Sequence, residues 1–158
     1  VPGERRGHVG WESVNPYYEG KKHPEPTVCE RCGLLYRDGH WQWADEVPAD
    51  AFRSVCPACR REIDRYPGGY VYLRGEYWTD HRDEIMNLVH NQEEEARRSR
   101  PLNRILWIEP RDEELEIATT TAHLARRLGK AIQSAHKGEL TIHQAEGEPL
   151  VRLVWRRD

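Results

Sequence analysis

No stretch of this 158-residue chain approaches the ~20 consecutive apolar residues that a bilayer-spanning helix needs. No charged-then-apolar leader and no lipidation motif is visible, so the expectation is a soluble, cytoplasmic protein in a reducing setting, with no membrane partner. Strong charge of one sign is missing too. A formal net charge of −3 argues against the broad basic surface of a simple DNA-binding domain, although it leaves room for local basic faces. There is no nucleophile elbow, phosphate loop or paired-carboxylate constellation. The eight histidines are scattered, without the His-x-Glu or His-x-x-x-His spacing of a catalytic metal site. His81-Arg82-Asp83 invites comparison with the protein-kinase catalytic loop, but Leu88 stands where that loop needs asparagine, and no Gly-rich loop accompanies it. These absences predict a protein that is not an enzyme and takes no small-molecule substrate.

Cysteine is scarce as well: four residues, all of them in two Cys-x-x-Cys pairs, Cys29/Cys32 and Cys56/Cys59. Two residues between cysteines let one backbone knuckle aim both sulfurs at a single metal, and a second knuckle closes the tetrahedron. Four thiolates leave no position for water or substrate, so the expectation is one structural Zn²⁺ in a four-cysteine site. A disulfide scaffold would need an oxidising compartment, and a thioredoxin-like motif would not come as a matched set of two. Gly33 follows the first pair, where a knuckle turns sharply and favours positive φ. Residues 34–47 read as a hairpin turning at Asp38-Gly39. Pro57 inside the second pair and Pro67-Gly68-Gly69 beyond it frame a short helix. Knuckle, hairpin and ligand-bearing helix is the order of a treble clef; a plain zinc ribbon would place a strand after the second knuckle.

The rest of the chain divides around this module. Residues 1–28, with eight prolines and glycines between Pro2 and Pro26, read as an extended N-terminal arm that orders only against its own body or a partner. Residues 29–75 form the zinc module, ending in a short strand, Tyr70–Leu73. Residues 76–158 form a second unit: a helix capped by Thr79 or Asp80 and running to Arg100, then strands 104–109 and 114–119, a helix over 121–137, and strands around Leu140–Ile142 and Val151–Trp155. That is a ββαββ four-stranded sheet preceded by a helix, and the fold class is α+β. Twelve of the 14 aromatics lie between Trp11 and Trp78, an aromatic front set against an aliphatic back.

Arg126, Arg127, Lys130 and Lys137 lie off the aliphatic stripe of helix 121–137, and Arg152 and Arg156 add charge on the last strand. Together they could grip a phosphate backbone. Trp41 and Trp43, two residues apart on the hairpin, share a face and offer either a platform for unpaired bases or core packing for a module with little aliphatic volume.

From about Pro24 to Arg157 the chain resembles a group of small bacterial double Cys-x-x-Cys proteins of no established activity. The likeness rests on the two knuckles, Trp41-Gln42-Trp43, His81-Arg82-Asp83-Glu84-Ile85 and the Thr119-to-Arg127 stretch. More distantly it resembles the zinc-bearing N-terminal part of the archaeal and eukaryotic adaptor that escorts the large ribosomal subunit. That likeness implies that Cys29, Cys32, Cys56 and Cys59 ligate one zinc, and it points toward ribosomes. The expected function is a zinc-stabilised, ribosome-associated or structured-RNA-binding factor; the alternative is a protein-interaction adaptor without nucleic acid.

Overall fold

The computed structural model describes residues 23–158, and two sheets and four helices are found among them. Of the arm, residues 1–22, with Trp11, Tyr17 and Tyr18, lie outside the described residues. Its last residues open the first sheet as β1 (Thr27–Cys29).

The first sheet is small. Strands β2 (Leu35–Arg37) and β3 (His40–Gln42) form a hairpin. Its turn is Asp38-Gly39, with φ of 58° and 85°, the backbone that a two-residue turn between right-twisted strands requires. β1 pairs antiparallel with β2, and β4 (Phe52–Ser54) adds itself parallel to β1, giving the order β3-β2-β1-β4. Residues 48–55 carry no strand signal of their own; β4 forms because β1 offers an unpaired edge. Helix α1 (Pro57–Asp64) follows, with Pro57 in its first turn, and ends at Arg65 in the left-handed region with φ of 50°.

The second sheet departs from the sequence expectation. It has five strands rather than four, because β5 (Gly69–Arg74), read from sequence with the cysteine module, is its central strand. The order is β6-β7-β5-β9-β8, where β6 is Ile105–Arg111, β7 Glu114–Thr119, β8 Glu139–His143 and β9 Val151–Arg156. β5 runs antiparallel to β7 and parallel to β9. A six-residue strand gives no sequence sign of which sheet it joins. The apolar residues Val71 and Leu73 decide the matter by packing into the larger core. Pro110 sits on β6, an edge strand, where its missing N–H costs no ladder bond.

The helix expected to begin at Thr79 or Asp80 starts earlier and is broken. A one-turn helix, α2 (Tyr77–Asp80), is separated by His81 from α3 (Arg82–Ser99). The His81 ring Nδ1 lies 3.0 Å from the Tyr77 carbonyl, and its ring stacks on Tyr77 with centroids 3.7 Å apart. Helix α4 (Ala122–His136) is capped by Thr121, whose hydroxyl accepts the Leu124 amide at 3.0 Å. α4 packs on β5 and β9 and against α3. Between them lies the main core: Val71, Leu73, Ile85, Val89, Leu115, Ile117, Leu124, Leu128, Ile132, Leu153 and Trp155 are all buried.

Alternation along the strands gives this sheet an opposite face on which no helix packs among the described residues. Tyr70, Tyr72, Trp107, Glu109, Arg111, Glu114, Glu116, Arg152 and Arg156 stand on it, each on the pleat opposite a core residue.

Candidate metal centre and its surroundings

The two cysteine pairs, 24 residues apart from Cys32 to Cys56, meet at one point. The four sulfurs all lie within 4.8 Å of one another, an arrangement that could hold a metal ion. Local backbone builds each half. At the first pair the Cys29 amide donates to the Leu34 carbonyl at 2.8 Å and the Gly33 amide to the Cys29 carbonyl at 2.9 Å, with Gly33 at φ 83°. The second pair occupies the start of α1. Cys56 is its N-cap, and its sulfur accepts the Cys59 amide at 3.4 Å. The Cys56 amide in turn donates to the Cys29 sulfur at 3.3 Å, tying one knuckle to the other.

The sulfur spacing fits a tetrahedral ion. Cys29 and Cys59 are 3.8 Å apart, Cys32 and Cys56 3.7 Å. Metal–sulfur bonds of about 2.3 Å in a tetrahedron imply edges of about 3.8 Å. Three of the four cysteines are buried, Cys32 less so. The Cys56 hydrogen bond, opposed by burial but helped by the Leu34 amide and Arg104, holds Cys32 down to about 4. Its bond to Cys32 and burial push the Cys56 thiol far up, and burial pushes Cys59 up. A bound cation would displace the protons those thiols retain.

Among the described residues, one side chain from outside the cysteine module bonds the sulfurs, and it comes from the segment leading into the second sheet. The Arg104 guanidinium, just before β6, donates to Cys32 Sγ at 2.9 Å, Cys59 Sγ at 3.1 Å and Cys56 Sγ at 3.6 Å. Burial alone would lower its pKa, yet the Cys59 and Cys32 sulfurs raise it above the ordinary guanidinium range. No sequence pattern marks Arg104: the contacts span 45, 72 and 48 residues.

The residues expected to meet nucleic acid do not form one surface. Trp41 is only 5% exposed and packs edge-on against Tyr36 and His23, so it belongs to the core of the first sheet and offers no face to a base. Trp43, 49% exposed, donates its indole N–H to the Arg97 carbonyl at 2.8 Å, docking the hairpin on the last turns of α3. Arg127 is a packing residue: its guanidinium bonds Gln92 and Glu95 of α3, both at 2.8 Å. Arg126 donates to Gln144 at 2.6 Å, and Lys137 to the Ser134 carbonyl at 3.2 Å near the end of its own helix. Lys130 is exposed. Arg152 and Arg156 stand on the open face, so the sheet itself separates them from α4.

That open face holds what the sequence reading missed. Tyr70 and Tyr72 stack at 5.7 Å with planes 16° apart, and Trp107 meets Tyr70 edge-on at 6.5 Å. Arg65 lies over the Trp107 ring at 4.0 Å and Arg152 over Tyr70 at 5.7 Å. Burial, then the nearby Glu116 carboxylate, raises the pKa of both tyrosines, which keeps their hydroxyls protonated. Glu116 is nearly covered, accepting from the Trp107 indole at 2.8 Å and pairing with Arg111 at 3.0 Å. The Tyr-x-Tyr spacing is the one local signal that could have marked this face; Trp107 joins it only through strand register, which includes a bulge between Ile105 and Trp107.

No helix among the described residues is long and apolar enough to cross a membrane. No family model, no curated protein and no solved structure matches the chain.

Proposed function

We propose that this is a non-enzymatic, cytoplasmic protein held by one structural Zn²⁺ on Cys29, Cys32, Cys56 and Cys59, which binds RNA, free or in the ribosome. A closed four-thiolate shell supports zinc in a structural role, with no coordination position left for chemistry. The succession of knuckle, hairpin and a helix bearing the second pair supports a treble-clef reading of the first module over a zinc ribbon.

The observation that carries the RNA reading is the open face of the second sheet. Tyr70, Tyr72 and Trp107 lie side by side with arginine guanidinia above them. Aromatic rings on an uncovered sheet stack unpaired bases, and guanidinia serve both rings and phosphates. Arg65, Arg74, Arg111 and Arg152 are paired with Glu109, Glu114, Glu116 and Glu148. The Arg65–Glu109 and Arg152–Glu148 pairs are exposed on both sides. Such pairs are worth only about 0–1 kcal/mol, so phosphates can replace those carboxylates at little cost, whereas Arg111 stays with the nearly covered Glu116.

The test is fluorescence anisotropy with labelled single-stranded RNA, followed through a salt series. Binding should weaken steeply as salt rises. Tyr72→Ala with Trp107→Ala should weaken it by about 2–6 kcal/mol, at about 1–3 kcal/mol per stacked base. Arg126→Glu with Lys130→Glu should leave it nearly unchanged. Loss in the helix variant alone moves the contact to α4. Absence of binding at low salt rejects the RNA reading and favours the protein-interaction adaptor.

A further inference from the structure

Arg104 is the one side chain of the second sheet whose hydrogen bonds end on the cysteine cluster, among the described residues. Its backbone is equally committed. The Arg104 amide donates to the Thr120 hydroxyl at 2.9 Å, and its carbonyl accepts the Thr120 amide at 2.9 Å. Thr120 donates its own hydroxyl proton to the Leu102 carbonyl at 2.6 Å. The neighbouring Thr121 bonds Asn103 at 2.6 Å and caps α4. A path of hydrogen bonds and covalent links therefore runs from three sulfurs, through the guanidinium and backbone of Arg104 to Thr120 and its chain neighbour Thr121, at the start of the helix that covers the second sheet.

We propose that Arg104 is a positioning residue that retains the metal and reports its presence to α4. The proposal rests on the metal reading above. Four thiolates around a divalent ion carry a net charge of about −2 in a mostly buried site, a charge that burial penalises unless it is paired. A guanidinium within hydrogen-bond reach of three sulfurs offsets half of it. The fork of an arginine reaches several acceptors at once, which the point charge of a lysine does not. Arg104 Nε is itself buried without a partner, so the side chain is held in place by its contacts to sulfur and not by a competing anchor. With the metal bound, those acceptors are four thiolates fixed on a tetrahedron. Without it, they are a loose set of thiols and thiolates, and the cation and the Thr120 segment it fixes lose that restraint.

Two measurements on the full chain test this, with Zn²⁺ and Co²⁺ as probes. In competition with a chromophoric chelator, wild type should bind one equivalent, and Co²⁺ should give the absorption of a tetrahedral thiolate site. Arg104→Met should bind the same single equivalent about 10–100-fold more weakly, as loss of an outer partner does, with a shifted sulfur-to-cobalt band. Arg104→Lys should fall between. Separately, hydrogen exchange at the Thr120 and Leu124 amides of wild type should quicken when zinc is stripped, and in Arg104→Met it should already be fast with zinc bound. Unchanged affinity and an unchanged cobalt band in Arg104→Lys and Arg104→Met overturn the retention role. Exchange at Thr120 and Leu124 that ignores zinc in wild type overturns the coupling, whatever the variants do. If wild type takes up no metal at all, it is the metal reading itself that fails.

Discussion

The two sheets of this protein solve the same problem with different materials. Buried around the second sheet are fifteen apolar residues, nearly all aliphatic, with Trp78 and Trp155 among them. Among the described residues the first sheet's cluster holds seven, and three of these are Cys29, Cys56 and Cys59. Its other large members are Leu34, Tyr36 and Trp41. So few side chains cannot exclude enough water to hold four three-residue strands. On the proposed reading, a metal bound by four sulfurs would replace the missing apolar volume with a few strong bonds, whereas the second sheet spreads its stability over many weak contacts. One module should therefore fail all at once on loss of a single atom, and the other by degrees.

The sharpest test of that contrast removes the metal. Structural zinc contributes on the order of 10–16 kcal/mol in small domains, more than the usual net stability of a whole domain at about 5–15 kcal/mol. Cys56→Ser, or exhaustive chelation, should unfold residues 27–64 while most core amides of β5, β7 and β9 stay protected. Heteronuclear NMR reads both halves in one spectrum, and survival of the β2–β3 hairpin signals without metal would contradict the comparison. The mirror experiment excavates the other core. Leu153 is completely buried, so Leu153→Ala should cost about 2–5 kcal/mol in urea unfolding of the second sheet. Zinc content should remain at one equivalent; a parallel loss of metal would mean the two modules fold as one unit.

A smaller effect is expected at the seam. A Cβ on Gly68 would sit 2.4 Å from the Thr120 carbonyl oxygen, which backbone cannot vacate cheaply. Gly68→Ala should destabilise by roughly 1–3 kcal/mol, the range of an overpacked site, and thermal melts should show it in the second sheet first. The smallest change belongs to the cap of α4. Thr121→Ala removes the acceptor of the Leu124 amide and should lower stability by about 1 kcal/mol, and Thr121→Ser should restore most of it. No difference between the alanine and serine variants would show that the cap bond contributes nothing.

Much of this architecture was legible because its causes are local. Asp38-Gly39 turns the hairpin, Pro57 starts α1, a threonine at 120 or 121 caps α4 (it is Thr121), and the two cysteine spacings name a four-sulfur site. What escaped the sequence depends on partners far along the chain. β5 carries no mark of the sheet it joins. β4 exists through pairing with β1. Trp41 and Trp43 look alike in sequence, yet one fills a core and the other docks on α3. Arg127 seemed one more surface cation on α4, but Gln92 and Glu95 on α3 make it a clasp between helices. Arg104 is the extreme case: no neighbour in sequence hints at sulfur.

The parallel pairing of β5 with β9, Gly69 opposite Val151 and Arg74 opposite Arg156, has a consequence in time. The first sheet and its four cysteines are contained within residues 27–64, so the strand pairings and the sulfur-to-sulfur contacts among them all close short loops. The second sheet cannot assemble its centre until a strand roughly eighty residues downstream has arrived, and long loops are slow to close. On a ribosome, the cysteine module can therefore capture its ion while the larger sheet is still waiting for its middle neighbour. The newly metallated cluster would then present a negatively charged anchor onto which Arg104, and with it the edge of the second sheet, can dock as it emerges.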